Sequence, residues 1–159
     1  MEVSNVNKKV IFLPVDASDH SIRAFQWYLD NLRGKNDELH FVHVIKPIFT
    51  TPTIELAMTS SLINNIMQST RENIENGKKL LQSYLIKAKN CGIPCQAFVH
   101  VDAKPGKSLI KLAEEHKVDI IIMGSRGSGV ICRTLLGSIT NYLMHHAKNP
   151  LVIIPPPVK

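Results

Sequence analysis

Apolar positions along the chain fall into short runs separated by polar turns, and the period of the runs alternates between that of a strand and that of a helix. Lys9–Val15 (KVIFLPV) is almost wholly apolar and ends at Asp16-Ala17-Ser18. A continuous run this short, bounded by turn residues, predicts a strand buried on both faces. Ser18 or Asp19 then offers a helix cap. Ile22, Phe25, Leu29 and Leu32 recur three and four residues apart, one face of a helix, which Gly34 ends at the C′ position. Leu39–Ile45 (LHFVHVI), rich in β-branched and aromatic residues, predicts a second strand. Lys46–Thr59 holds two prolines and several threonines and predicts an irregular connection.

A long helical pattern follows from about Leu62 to Lys89, through Ile63, Ile66, Met67, Ile74, Leu81, Tyr84, Leu85 and Ala88. Gly77 is expected to bend it, and Cys91-Gly92-Ile93-Pro94 to stop it. Cys95–Val101 predicts the third strand, Ala103–Gly106 a turn, Ser108–His116 a helix and Val118–Met123 the fourth strand. Gly124–Leu136 reads as a loop, Ile139–Ala147 as the last helix and Leu151–Ile154 as the fifth strand. This alternation predicts an α/β fold, a single open five-stranded parallel sheet with helices on both faces. Such sheets bind ligands beyond the carboxyl ends of their strands, so the segments after the first four strands carry the interest.

Composition narrows the classes. A length of 159 residues predicts one domain. Aromatics make up 6%, too few for a platform that stacks single-stranded nucleic acid. No apolar run approaches the span of a bilayer, and the first ten residues lack the apolar core of a secretory signal. Cys91, Cys95 and Cys132 match no metal or redox spacing, so a cytoplasmic protein with reduced thiols is expected. Charge is uneven. Residues 1–80 carry nine basic and nine acidic side chains, while residues 81–159 carry ten and four. The net charge of +6 thus gathers in the second half, which invites an anionic partner.

The loop after the fourth strand names a class of anion. Gly124-Ser125-Arg126-Gly127 follows the strand directly, and Gly137-Ser138 opens the last helix nine residues further on. Glycine lets backbone approach a ligand, because no Cβ intervenes. The N–H groups of Ser138, Ile139 and Thr140 would converge at the positive end of the helix dipole, which suits phosphate. Arg126, Arg133, Lys104 and Lys107 lie in this loop or just after the third strand. A Walker A motif is absent: Gly106-Lys107-Ser108 ends like one, but Val101 stands where its first glycine belongs. The first strand lacks a dinucleotide-binding glycine fingerprint. On spacing alone the alternative reading of the glycines is as turn residues, and of Asp16 as a helix cap.

The pattern Gly124-x2-Gly127-x9-Gly137-Ser138 resembles the nucleotide motif of the universal stress protein family. The opening VIFLPVDASDHS, the stretch SLIKLAEEHKVDIIIMGSRG and the closing NPLVIIP are similar to that family as well, so the likeness runs from about Lys8 to Pro155. Ala17 and Ala103 depart from it where many members carry glycine. The resemblance implies a Rossmann-like fold of the adenine-nucleotide α-hydrolase-like type and, because the glycine motif is kept, ATP binding. It places adenine near Pro14, Val15 and Val44, and Asp16 near the ribose or an Mg²⁺ ion reached through phosphate or water. Gly124 and Gly127, with Met123 and Arg126 beside them, would admit ribose and phosphate. Gly137, Ser138, Ile139 and Thr140 would hold the phosphates. It further implies a homodimer joined through the Leu151–Ile154 strands.

The expected function is a nucleotide-dependent switch in the stress response, with little or no hydrolysis and a protein partner that the residues do not identify. A slow ATPase or phosphotransferase is the alternative, with Asp16 as the best candidate for a base. A nucleic-acid-binding protein is the third reading, and the missing aromatics and recognition motifs speak against it. His145 and His146 adjoin on a helix and so cannot form a metal-binding pair four residues apart. His43 and His100 sit in strands near the proposed site; an edge or partly buried structural role is expected of them, with pH sensing or a ligand contact as the alternative.

Overall fold

The computed structural model describes residues 8–48, 60–126 and 136–157, with side chains from residue 63 onward in the second segment. The elements are β1 (Lys9–Pro14), α1 (Asp19–Asn31), β2 (Asp37–Ile45), α2 (Ser60–Asn90), β3 (Cys95–Val101), α3 (Pro105–Glu115), β4 (Ile120–Gly124), α4 (Ser138–His146) and β5 (Leu151–Ile154). The strands form one parallel sheet in the order β3-β2-β1-β4-β5. The chain therefore reverses its direction of winding between β1 and β4, and their carboxyl ends flank a crevice.

Period-two alternation supplies a core on each face. Ile11, Leu13, Leu39, Phe41, Ile122 and Ile154 point to the face covered by α1 and α2. Phe12, Val42, Ile121 and Met123 point to the face covered by α3 and α4. The expected sheet with helices on both faces is what forms. Among the described residues, no helix is long and apolar enough to cross a membrane.

Several local expectations are corrected. In α1 the buried face is Ser21, Ala24, Phe25 and Tyr28, whereas Ile22 is 46% exposed. The helix is rotated so that the Phe25 ring meets Phe41 edge-on at 5.3 Å and the Tyr28 hydroxyl donates to Asp37 Oδ2 at 2.9 Å. Leu32 is its C-cap, so Gly34 lies beyond C′. The Gly34 N–H donates to the same Asp37 oxygen, and a Cβ there would lie 2.7 Å from Asp37 Oδ1.

Gly77 lies within a continuous α2. A Cβ on it would come 2.9 Å from His43 Cδ2, so the glycine lets the helix settle on β2. Gly92, at φ 70°, closes that helix: its N–H donates to Lys89 and that of Ile93 to Ala88, the paired bonds of a left-handed helix stop. Pro105 and Gly106, expected in a turn, form the first turn of α3. Proline is at home there, since the first helical N–H has no intrahelical partner. β4 begins two residues later than expected, because the Val118 N–H is spent on Ala113 at the end of α3.

A polar cluster sits in the amino-terminal part of β2. Lys8 pairs with Glu38, and Gln96 Nε2 donates to Glu38 Oε1 at 2.6 Å. His40 Nε2 lies 3.3 Å from the same oxygen, and His40 Nδ1 lies 3.2 Å from His116 Nδ1. Lysine and glutamine bonds hold the Glu38 carboxyl down to about 2. Burial pushes the His40 ring below its ordinary value of 6.5, against the opposing bond from Glu38. As pH falls below 6.5, the unfolded chain takes up a proton that folded His40 resists, so stability drops. Glu38 contributes stability above its ordinary 4.5, and that contribution is lost as pH falls toward 2. The melting temperature is thus expected to fall in two stages on acidification. A melting temperature that stays flat from neutral pH to below 4.5 contradicts this assignment.

Candidate functional site

The carboxyl ends of β1, β2 and β4 and the first turns of α3 and α4 enclose a cleft of about 490 Å³, within the range typical of small-molecule sites. Pro14, Val15, Asp16, Val44, Met123, Gly124, Arg126, Gly137, Ser138, Ile139 and Thr140 all line it. These are the sequence-derived candidates, save Gly127, which lies outside the described residues, as does Arg133. Lys104 and Lys107 are exposed near the start of α3 and are not among the described lining residues.

The polar wall is built by α4. Gly137 is its N-cap, at φ −61° and ψ 148°, and no side chain caps this end. The Gly137 N–H donates to the Ser125 carbonyl at 2.9 Å, and the Gly137 carbonyl accepts from Asn141 at 2.8 Å. The Thr140 hydroxyl donates to the Gly124 carbonyl at 3.2 Å, which ties the helix to the end of β4. The N–H groups of the helix's first turn have no intrahelical acceptors and open toward the cleft, where they favour an anion. Arg126 and Lys46 add positive charge on the same rim.

The apolar wall comes from Pro14, Val15, Val42, Val44, Met123 and Leu109. It is suited to a flat ring rather than to a second charged group. Asp16 stands between the walls, but it is not the helix cap. Ser18 is the cap, and its hydroxyl accepts from the Ser21 N–H. Asp16 Oδ1 accepts from the Ser18 N–H at 3.0 Å, from the Ser18 hydroxyl, and from the Ser21 hydroxyl at 2.8 Å.

Gly124 lines the cleft, and its missing side chain also has a packing reason. A Cβ there would lie 2.8 Å from both Cβ and the backbone oxygen of His20, so its bareness lets α1 pass close to β4. Among the described residues no cluster of three His, Cys, Asp or Glu side chains could hold a metal. Asp16 is the one carboxylate among the described lining residues. Mg²⁺ retains water and binds through one or two carboxylates plus phosphate oxygens. Among the described residues the donor set therefore fits an Mg²⁺ brought by phosphates, with Asp16 as the nearby carboxylate, and not a metal held by protein alone.

Sequence reasoning missed Ser21, Val42, Lys46, Pro105 and Leu109 as lining residues, and placed His43 near the site only as a secondary reading. Val42 and Val44 share one face of β2 at period two, a signal that was present in the sequence, and Lys46 follows the strand directly. His43 is half-buried, and its Nδ1 lies 2.8 Å from the Val15 carbonyl. His100 is likewise half-buried, in β3 opposite Val44, while His145 and His146 are exposed on α4.

The model of the universal stress protein family matches residues 8–155. Universal stress protein MJ0577 of Methanocaldococcus jannaschii is 30% identical, over 96% of this chain and 97% of its own. A solved structure of MJ0577 superposes with a TM-score of 0.78, covering 95% of this chain and 98% of that one at 24% identity. A family member from Arabidopsis thaliana, solved with AMP bound, gives a TM-score of 0.66 at 18% identity, covering 94% and 93% of the two chains. A universal stress protein solved in complex with cAMP gives 0.63 at 22% identity, covering 92% and 96%.

Proposed function

The chain belongs to the universal stress protein family, and on that footing we propose that its cleft binds ATP and that the protein acts as a nucleotide-dependent switch in the stress response. The observation that carries this reading is the uncapped first turn of α4 facing an apolar slot at the β1–β4 switch point. Adenine packs between Pro14, Val15 and Val44, and the phosphates meet Gly137, Ser138, Ile139 and Thr140. Arg126 and Lys46 balance their charge, and Mg²⁺ travels with them near Asp16. The AMP and cAMP held by two structural relatives support an adenine nucleotide. Cytoplasmic residence fits the free thiols of Cys91 and Cys95. Mass spectrometry of the nucleotide released when the purified protein is denatured tests the reading. An adenine nucleotide in near-equal amount to the chain supports it, and a guanine nucleotide in its place contradicts it.

Binding without turnover is supported by the engagement of Asp16: its Oδ1 accepts from the Ser18 N–H and from the hydroxyls of Ser18 and Ser21, so that oxygen is already directed at protein donors rather than at a water. Phosphate release is expected far below the ~1–100 s⁻¹ of kinases. Turnover near one per second, lost in Asp16→Asn, would favour the ATPase alternative.

The switch is proposed to work as a homodimer through β5, an edge of the sheet. Ile121 of β4 and Ser125 just after it donate to the carbonyls of Pro150 and Ile154, so by alternation Val152 also faces β4. Leu151 and Ile153 then direct their N–H and C=O groups outward, toward a second copy. Light scattering at tens of micromolar is expected to give a dimer, and Ile153→Pro, which removes an outward donor, a monomer. A wild-type monomer contradicts this part of the proposal.

A further inference from the structure

We propose that His43 is a positioning residue that holds the Val15–Asp16 peptide in the orientation the nucleotide cleft requires, an inference that rests on the ATP-binding reading above. That peptide unit is gripped at both ends. Its carbonyl, on Val15, lies 2.8 Å from His43 Nδ1, and its N–H, on Asp16, donates to Ser21 Oγ at 3.0 Å. A carbonyl only accepts, so Nδ1 carries the proton. β1 ends at Pro14, and the Val15 N–H makes a last ladder bond to Val42 at 2.8 Å. Beyond it the chain swings out toward α1, and the side chain of His43 takes the next carbonyl.

The ring is aimed by its surroundings. Gly77 of α2 offers no side chain, and a Cβ there would stand 2.9 Å from His43 Cδ2 and 3.2 Å from Ile45 Cδ1. α2 thus makes a bare seat for the ring. Ser21 completes the clamp, since its hydroxyl accepts from the Asp16 N–H while donating to Asp16 Oδ1. Rotation of this one peptide would move Val15 and the Asp16 carboxylate together, and both line the cleft. A change at His43 therefore reaches the adenine end and the phosphate end of the site at once.

The test compares wild type with His43→Asn and His43→Leu, titrated with Mg-ATP by calorimetry beside ligand-free melting curves. Asparagine can present an amide N–H close to the position of Nδ1, whereas leucine fills the space with no donor. His43→Leu is expected to weaken ATP binding by about tenfold, the upper end for one lost hydrogen bond, while His43→Asn stays within about threefold of wild type. In ¹⁵N spectra of the full-length protein, His43 is expected to be protonated at Nδ1. ATP affinity of His43→Leu equal to wild type, or equal losses in both variants, overturns the positioning role and leaves ATP binding standing. If His43→Leu does not fold, the spectrum decides: a neutral ring with its proton on Nε2 overturns the proposal, and one protonated at Nδ1 upholds it. A wild type that binds no ATP removes the function itself, an outcome distinct from both.

Discussion

Gly137→Val is expected to weaken ATP binding by at least tenfold, about 1.4 kcal/mol, in a protein that still folds. Gly137 sits at φ −61° and ψ 148°, extended backbone that valine readily adopts. Its N–H and carbonyl bonds to Ser125 and Asn141 need no glycine either. What valine changes is the space in front of the α4 N-terminus, where its branched side chain would stand between phosphate and the N–H groups of the first turn. Ser138→Ala should cost less, since one hydroxyl contact is worth roughly 0.5–1.5 kcal/mol and the backbone donors remain. Calorimetry at matched folded fractions is the check. A folded Gly137→Val with wild-type affinity would show that the residue is only a turn.

Gly124→Ala should show the opposite behaviour, a loss of stability before any question of binding arises. The added Cβ would meet His20 Cβ and its backbone oxygen, both at 2.8 Å. Neither is the end of a flexible chain, so α1 or β4 must shift. Overpacking of this kind costs about 1–3 kcal/mol. Urea unfolding should show a lower midpoint with unchanged slope, the mark of lost stability rather than an altered denatured state. A midpoint equal to wild type contradicts the packing account and returns Gly124 to a purely ligand-facing role.

These two glycines belong to one sequence motif, yet the structure gives them different reasons. The motif could be read from spacing, and so could the five strands, because parallel strands buried on both faces announce themselves as apolar runs. The convergence of β1, β4 and α4 on one cleft followed from the alternation of elements and the position of the glycine loop. Contacts between distant elements could not be read in the same way. That a Cβ on Gly124 would strike α1, one on Gly77 His43, and one on Gly106 Tyr142 depends on crossing distances that no local pattern encodes. The rotation of α1 toward Ser21 and Tyr28 is a similar case, since Asp37 holds the Tyr28 hydroxyl from another element. His43 was visible as a strand histidine, but its bond to Val15 depends on the β1–β2 register.

The cleft at the β1–β4 switch point is proposed to take an adenine nucleotide by its phosphates and its ring. Calorimetric titration of the full chain, stripped of nucleotide, with ATP in the presence and absence of Mg²⁺ and with GTP as control, tests it most directly. Saturable binding of one ATP per chain is expected, tightened by Mg²⁺ to a lesser degree in Asp16→Asn, with much weaker binding of GTP. No heat from ATP at concentrations that raise no melting temperature, or equal affinity for GTP, would contradict it.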